Sequence, residues 1–496
     1  MPEHFDLVIR GATVIDGTGA PGSVADVAVR GDRVVRVGVV PADVVAGESI
    51  EATGLALSPG FIDVHAHDDT LVLIEPDVVG KVMQGVTTVI NGNCGAGVVP
   101  TSGSRRLLES PAAVPHWDSY GGYLDAIAAH PPSLNVATLV GFGTMRAGAL
   151  GAPTVERPAI ADEVERMRGW LREALSAGAV GLSTGLIYEP DRYATTDEIV
   201  AVAEPLAGYG ALYASHVRGE GETLLAAHAE AIEIGRRAGV RVQISHHKAS
   251  GRAFWGRVQD SIRQIEDARA RGEDVTADQY PYTAGSTRLA AMIQNGWFDA
   301  GADGSGEMEV RLASVPQRPE WEGRPVASFA DEWDLPIEQA ARRIVDEGGP
   351  STFAIMFSID EADVRTVMRH ETTMIGTDGL GWGSKPHPRH FGTYPRILGH
   401  YVRDEGVLTL EQAVHKMTGM PALKFDLPGR GVVREGAIAD LVLFDPATVI
   451  DVATFDDPRQ PPRGIPHVFV NGVAVVRDGE HTHARVGRPV RRGVDA

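Results

Sequence analysis

The stretch SPGFIDVHAHDD, residues Ser58 to Asp69, joins an apolar run to two histidines and two aspartates. In an extended strand, residues two apart point to the same face, so His65 and His67 project side by side, with Asp63 ahead of them. That spacing suits metal chelation. A chain with 17 histidines also produces H-x-H by chance, so the rest of the sequence has to decide between a metal site and a polar strand end.

Seven further apolar runs follow this one, alternating with helical patterns at the intervals typical of repeated βα units. They are TTVINGNCG (87–95), NVATLVGFG (135–143), AVGLSTGLIY (179–188), ALYASHVRG (211–219), RVQISHHK (241–248), DVTADQYPY (274–282) and TMIGTDG (373–379). Eight such strands close a TIM-type barrel, an α/β fold whose active site lies at the carboxyl ends of the strands. The connector GETLLAAHAEAIEIGRRAG (221–239) has acidic residues early, arginines late and a terminal glycine, which indicates a helix.

Both ends of the chain show the alternating pattern of short antiparallel strands between glycine-rich turns. Neither end alone has enough strands for a stable sheet. We therefore predict one small β-sandwich domain from residues 1–57 and 428–496, and a (β/α)8 barrel from residues 58–427. Residues from about 288 to 349 break the barrel rhythm with Gly, Pro and Trp, and we expect them to form an inserted subdomain that could act as a lid.

Composition limits the possible partners. The net charge is −20 and lysine is scarce, so the chain lacks the basic stripe that a nucleic-acid-binding protein needs. No run of about 20 apolar residues indicates a membrane span, and the only cysteine, Cys94, excludes an internal disulfide. We expect a cytoplasmic protein that acts on a small molecule; the sequence does not indicate an oligomeric state.

Six potential metal ligands fall at the ends of the predicted strands: His65, His67, Cys94, His216, His246 and Asp378. His216 and His246 are 30 positions apart, about one βαβ repeat, which places them on adjacent strands at one level of the barrel. Imidazole, thiolate and carboxylate together suit zinc. In contrast, His481 and His483 of HTHAR lie in a polar tail with no buried strand before them, and we expect that pair to be solvated.

Three of these assignments leave alternatives open. His246 and His247 are consecutive, so only one can face the barrel interior, and the apolar register does not settle which. Cys94 could be a small buried hydrophobe, a nucleophile or a ligand, of which we favour the ligand. Asp378 could take a proton from water activated by zinc and return it to a leaving group, or it could cap a helix before Gly379.

The longer motifs resemble one family over almost the whole chain. They are GFIDVHAHDD, NGNCG, GLSTGLIYEP, ASHVRGE, SHHK, YPYTAGST and GTDGLGWGSKPHPRHFGTYPRILGHY. The sequence resembles the amidohydrolase superfamily, and within it the N-acyl-D-amino-acid deacylases, or D-aminoacylases. The resemblance implies that Cys94, His216 and His246 bind a tight zinc ion. It also implies that His65, His67 and Asp378 surround a second, weaker metal site.

The activity implied by the resemblance is hydrolysis of an N-acyl-D-amino acid to a carboxylate and a free D-amino acid. Asp378 would act as general base and then as general acid. The substrate carboxylate would bind Lys248, Tyr282, Ser286 and Arg389, since a guanidinium can hold a carboxylate through two hydrogen bonds. Arg389 alone could equally be a surface arginine. Arg288 could select acidic side chains, although we expect it to point to solvent, and the loop GLGWGSK (379–385) could tune the pocket.

Two other functions remain open. One is a cyclic-amide hydrolase of hydantoinase or dihydroorotase type, in which a carboxylated lysine often bridges two metals. The lysines of this chain are Lys81, Lys248, Lys385, Lys416 and Lys424. None of them ends the third or fourth strand, where that bridge would stand, so Cys94 is the better bridging candidate. The other possible function is a non-catalytic scaffold that has kept the barrel, which the complete ligand set disfavours.

Overall fold

The eight predicted barrel strands form one parallel sheet in their order along the chain. We analysed a computed structural model, which describes residues 3–100, 102–103, 117–298 and 308–494. The strands are Phe61–Asp63, Val86–Asn91, Asn135–Gly141, Gly181–Gly185, Leu212–His216, Arg241–Ile244, Val275–Gln279 and Thr373–Ile375. The last strand returns to the first beyond their ends, where the backbone N–H of Asp378 donates to the carbonyl of His65 at 2.7 Å. The predicted TIM-type barrel is therefore confirmed.

Helices follow the barrel strands and cover the outside of the sheet. In the described part of the barrel they are Leu71–Ile74, Val79–Val82, Tyr120–Ala129, Phe142–Leu150, Ala161–Ala177, Thr196–Ala203, Pro205–Tyr209, Leu224–Ala238, Val258–Ala270, Glu361–Arg369, Arg389–Arg396, the π-helix Ile397–Asp404, Leu410–Met417 and Gly419–Lys424. The predicted connector is the helix Leu224–Ala238, which has Arg236 and Arg237 in its last turn and ends at Gly239. Gly239 has a φ of 68°, a conformation that glycine adopts without strain.

The two ends of the chain meet in one nine-stranded sheet, as the sequence pattern predicts. Its strands are His4–Val14, Ser23–Arg30, Arg33–Gly38, Val45–Glu51, Ala56–Pro59, Leu441–Phe444, His467–Val470, Val473–Arg477 and Glu480–His481. Ala56–Pro59 joins the two halves, because it pairs with His4–Val14 on one side and with Leu441–Phe444 on the other. The first barrel strand starts two residues after Ala56–Pro59, so the terminal sheet anchors the strand that carries His65.

The segment that breaks the barrel rhythm has its own sheet and its own apolar core. Its three strands are Gly285–Arg288, Val310–Ser314 and Phe353–Met356, and its helices are Leu289–Gln294, Val326–Trp333 and Ile337–Gly348. The rings of Trp321, Phe329 and Trp333 pack together with centroids 5.0 to 5.8 Å apart. Residues 299–307 of the expected insertion lie outside the described residues.

In the part of the chain that the structure describes, no helix has both the length and the apolar character needed to cross a membrane.

Candidate metal centre

Four of the predicted ligands meet around the Cys94 sulfur at the carboxyl end of the barrel. Cys94 Sγ lies 3.3 Å from His65 Nε2, 3.6 Å from His246 Nε2 and 3.7 Å from His216 Nδ1. Ligand atoms of a tetrahedral zinc ion, with bonds of about 2.0 Å to nitrogen and 2.3 Å to sulfur, stand about 3.5 Å apart. The donor types and their spacing therefore fit zinc.

The remaining two predicted ligands stand next to this group. Asp378 Oδ1 lies 3.1 Å from His67 Nε2 and 3.5 Å from His65 Nε2, and three donor atoms of these residues lie within 4.8 Å of one another. His65 is thus common to both groups of donors. The structure brings together all six residues that the sequence places at strand ends.

The backbone is strained at three of the six predicted ligands. Cys94, His246 and Asp378 have φ angles of 52°, 35° and 48°, in the left-handed region where residues with a Cβ pay about 1–3 kcal/mol. Packing around them is tight, since a Cβ on Gly185 would come within 2.2 Å of the Cys94 carbonyl oxygen. The fold holds these side chains in place at the expense of stability, as is typical of functional sites.

Asp278, on the seventh barrel strand, orients His65 and was not identified from the sequence. Its Oδ1 lies 3.1 Å from His65 Nδ1 and also accepts the backbone N–H of His246 at 2.8 Å. A proton on His65 Nδ1 leaves the lone pair of Nε2, on the side of Cys94, free to bind a metal. The signal in the sequence was a carboxylate in the short barrel strand VTADQ, all of whose residues are buried.

The electrostatic environment of the cluster favours positive charge. Burial alone would raise the pKa of the Cys94 thiol, but His65 and the hydrogen bonds from the other imidazoles hold it well below its usual value. Burial disfavours a charged His67, yet Asp378 and Cys94 raise the pKa of that histidine to about 9. A thiolate and a carboxylate in a buried pocket are the conditions that a cation site needs.

Arg389 is completely buried beside Asp378, so it is not a surface arginine. Its guanidinium lies 2.9 Å from Asp378 Oδ2, donates to the carbonyl of Ser286 at 3.2 Å and packs over the ring of Tyr280 at 4.4 Å. Burial by itself would raise the pKa of Asp378, but Arg389 and His65 hold that pKa well below its usual range. Asp378 is therefore ionised at neutral pH. Its carboxylate pairs with Arg389 and does not cap a helix.

Above the six ligands opens a cavity of about 500 Å³. Barrel and insertion share its walls: Lys248 comes from the barrel, whereas Ser286, Met292, Trp297 and Phe353 come from the insertion or its edge strands. Leu380 and Trp382 of the loop after Asp378 complete the apolar wall. Both the predicted lid and the predicted variable loop therefore line the cavity.

Lys248 lines this cavity and pairs with Glu220, a second residue that was not identified from the sequence. Lys248 Nζ donates to Glu220 Oε1 at 2.6 Å. Burial would raise the pKa of Glu220, but Lys248 and His216 lower it below its usual range, while Glu220 raises the pKa of Lys248 despite the burial of the lysine. Glu220 belongs to the motif ASHVRGE, and its position four residues after His216 was the available signal.

Tyr282 does not line the cavity, contrary to the prediction that it contacts substrate; Tyr280 lines it instead. The strand ends at Gln279, and the N–H of Tyr282 then bonds to the carbonyl of Tyr280 at 3.1 Å, forming a tight turn. This turn breaks the strand alternation, so the ring of Tyr282 packs against His387 with centroids 5.2 Å apart.

Two further side chains resolve alternatives that the sequence left open. His247 Nε2 lies 2.7 Å from Ser261 Oγ on the helix behind the sheet, so His246 is the histidine that faces the barrel interior. Arg288 lines the cavity and is half-buried, rather than pointing to solvent as expected. The reason is that Gly285–Arg288 pairs with Phe353–Met356 along the cavity wall.

The comparisons with known proteins agree with this geometry. A family model described as an amidohydrolase family matches residues 48–476. The D-aminoacylase of Alcaligenes xylosoxydans xylosoxydans is 42% identical over 495 residues, which cover 99% of this chain and 98% of that protein. A crystal structure of N-acyl-D-glutamate deacylase from Bordetella bronchiseptica, complexed with zinc and a phosphonate mimic of the tetrahedral intermediate, is 37% identical. It matches with a TM-score of 0.90 over 99% of this chain and 100% of that one.

A more distant structure shares the fold alone. The L-hydantoinase of Arthrobacter aurescens is 18% identical, with a TM-score of 0.58 over 98% of this chain and 100% of that one. The relatives that match at 40–42% identity over nearly the full chain are instead a D-aminoacylase and two N-acyl-D-amino-acid deacylases. The chain is therefore an enzyme of the D-aminoacylase family within the amidohydrolase superfamily.

Proposed function

We propose that this enzyme hydrolyses the amide bond of N-acyl-D-amino acids in a zinc-dependent reaction that releases a carboxylate and a free D-amino acid. The observation that carries the proposal is the meeting of Cys94, three histidines and Asp378 beneath a cavity that also holds an ammonium group. Relatives that span the full chain act on this substrate class by name.

The proposed metal arrangement is one tight zinc site and one weaker site. Cys94, His216 and His246 would hold the first ion, and His65, His67 and Asp378 would hold the second when it is present. When bound, zinc supplies a Lewis acid that polarises the amide carbonyl and acidifies water. His65 contacts both groups of donors, which supports a tight site that works next to a weaker one.

Asp378 carries the proton in the proposed reaction. Its carboxylate is ionised and stands over the donor atoms, so it can accept the proton of the attacking water. The same carboxyl group then gives this proton to the departing amine, because an amine leaves only after protonation. Arg389 holds the carboxylate in position through the contact at Oδ2, which leaves Oδ1 facing the two histidines.

The carboxylate of the substrate is proposed to bind at the Lys248 side of the cavity. Lys248 lines the cavity with Ser286 and Tyr280, and the guanidinium of Arg389 lies directly behind Tyr280 and Ser286. The positive charges of Lys248 and Arg389 match an anionic group, and the hydroxyls of Ser286 and Tyr280 can donate to it. Tyr280 takes the place that the sequence analysis assigned to Tyr282.

Cyclic-amide hydrolysis is the alternative reaction. The lysines near the site are committed elsewhere: Lys81 donates to Asp63 beneath the strands at 2.6 Å, and Lys248 donates to Glu220. Cys94, rather than a lysine, stands beside His65, the residue common to both groups of donors, which supports hydrolysis of linear amides.

Initial rates on four substrates test the proposed function. N-acetyl-D-methionine should be hydrolysed, whereas N-acetyl-L-methionine, hydantoin and dihydroorotate should be turned over at least about 100-fold more slowly, the discrimination expected when a buried polar site fits one substrate geometry. Zinc content is measured on the same preparation. Faster turnover of either cyclic amide, or zinc-loaded protein inactive on every N-acyl-D-amino acid tried, would overturn the proposal.

A further inference from the structure

Glu220 has no role in the proposed reaction, yet it occupies the point where the zinc ligands and the cation of the substrate site meet. Its side chain is about 8% exposed. A single oxygen, Oε1, lies 2.6 Å from Lys248 Nζ, 3.1 Å from His246 Nδ1 and 3.9 Å from His216 Nε2. Glu220 thus faces the outer nitrogen of two histidines whose inner nitrogens face Cys94.

His246 has two competing partners at its outer nitrogen. Glu220 Oε1 stands 3.1 Å from Nδ1, and Lys248 Nζ stands 2.9 Å from it. An ammonium can only donate, so a hydrogen bond from Lys248 would require the ring proton on Nε2, where it would block zinc. A carboxylate only accepts, so a hydrogen bond to Glu220 places the proton on Nδ1 and leaves Nε2 free toward Cys94.

The same reasoning applies to His216. Its Nδ1 faces Cys94, and its Nε2 is buried without a hydrogen-bond partner among the described residues. Glu220 Oε1 lies 3.9 Å from this nitrogen. A negative charge on that side favours the ring form whose inner nitrogen is free to bind metal.

We propose that Glu220 is a positioning residue that sets zinc affinity by selecting the metal-binding form of His246 and His216. It does so in part by keeping Lys248 from donating a hydrogen bond to His246 Nδ1, which would place the ring proton on the nitrogen that binds zinc. Because Glu220 also anchors Lys248, it couples the zinc site to the site for the substrate carboxylate. The coupling to the substrate site rests on the proposed function, whereas the effect of Glu220 on zinc affinity does not.

Zinc affinity measured without substrate, by competition with a chromophoric chelator, tests the inference. Glu220→Gln should weaken tight zinc binding by about 10- to 100-fold, the usual effect of removing a carboxylate that orients a metal-binding histidine. Lys248→Met should leave zinc affinity within about threefold, since Glu220 still faces the outer nitrogens of His246 and His216. The double variant should regain at least roughly threefold of the affinity lost in Glu220→Gln, because the competing ammonium is gone.

Kinetics at saturating zinc separate positioning from general damage. Lys248→Met should raise KM for N-acetyl-D-methionine with a smaller effect on kcat, while Glu220→Gln should change both KM and kcat. Glu198→Gln is the matched control, because Glu198 is a buried glutamate that pairs with buried Arg146 at 2.9 Å away from the cavity. It should lower thermal stability without changing zinc affinity.

Each outcome decides the inference. Zinc affinity of Glu220→Gln within twofold of wild type, or an equal loss in Lys248→Met, would overturn it. If Glu220→Gln does not fold, the double variant Glu220→Gln/Lys248→Met is used, because it leaves no unpaired charge at these two positions. Its zinc affinity is then compared with that of Lys248→Met, and equal affinities would overturn the inference. Failure to hydrolyse N-acetyl-D-methionine would overturn the proposed substrate but not the zinc result.

Discussion

Two H-x-H pairs in this chain gather the same kinds of ligand in different surroundings. His65 and His67 converge on Asp378, and the pair in residues 481–483 converges on Asp77; in each group three donor atoms lie within 4.8 Å of one another. In the barrel group His65 and Asp378 are buried, and His65 is shared with the Cys94 cluster. The tail group lies near the surface, where side-chain spacing alone is a weak sign of metal binding.

The partners of each pair explain the difference. Asp77 in the tail group already has a cation, because Arg485 Nε lies 2.7 Å from its Oδ1, and His483 Nδ1 lies 2.8 Å from its Oδ2. The hydrogen bond of Arg485 holds the pKa of Asp77 below its usual value. A guanidinium at this distance repels a second cation. His481 Nδ1 also accepts the backbone N–H of His483 at 3.2 Å, which favours the ring proton on the nitrogen that would otherwise bind metal.

The expectation of a solvated tail pair holds for one histidine only. The side chain of His483 is 74% exposed, but His481 is half-buried because Glu480–His481 forms a short strand against Val473–Arg477. Half-burial and H-x-H spacing therefore do not by themselves identify a metal site. The barrel group differs because a carboxylate, Asp278, fixes the ring orientation of its first histidine.

The largest effect is expected for Asp378→Asn. The amide cannot accept and return a proton, so kcat on N-acetyl-D-methionine should fall by about 10²- to 10⁴-fold while the tight zinc ion stays bound. Asp77→Asn is the matched variant in the tail group and should keep full activity. Wild-type kcat in Asp378→Asn would remove Asp378 from the proton transfer.

Cys94→Ala should have the next largest effect, on metal content. It removes the thiolate around which the three imidazoles gather, so most of the zinc should be lost on gel filtration. Zinc per chain is measured by atomic absorption, and circular dichroism checks that the barrel has folded. Full zinc content in a folded variant would show that Cys94 is not a ligand.

A smaller effect is expected for Asp278→Asn. The amide can present its NH₂ group to His65 Nδ1 and so place the ring proton on Nε2, which should weaken binding of the second metal by about tenfold or more. A zinc titration of the folded variant measures this change. Because Asp278 also accepts from His246 N and from Gln243 at 2.8 Å, its thermal unfolding is recorded in parallel. An unchanged titration would mean that Asp278 supports the strands without tuning His65.

The barrel, and the meeting of six polar side chains at its mouth, could be predicted from the sequence because each apolar run ends in polar or small residues. Register on a strand then places residues such as His216 at one known level of the barrel. The roles of Glu220 and Asp278 could not be predicted, since they depend on which nitrogen of a histidine each carboxylate faces. Tyr280 was missed for another reason: a tight turn follows the strand, and periodicity stops there.

One part of the cavity wall, the strand that carries Arg288, was also beyond sequence reasoning. Arg288 was expected in solvent, yet the insertion has its own sheet, which turns this strand toward the site. The pairing of Gly285–Arg288 with Phe353–Met356 joins segments about 70 residues apart, and long-range pairing of short strands leaves little local pattern.

The smallest effect is expected for the double variant His481→Ala/His483→Ala, and it tests the comparison directly. If the tail pair binds no catalytic metal, zinc per chain and kcat should equal those of the wild type. The free energy of unfolding should change by no more than about 1 kcal/mol, because an exposed histidine and carboxylate contribute little. His65→Ala/His67→Ala has the same composition and should lose the second metal and most activity. A tail variant that loses a full equivalent of zinc would contradict the distinction, because it would show that a neighbouring arginine does not prevent metal binding.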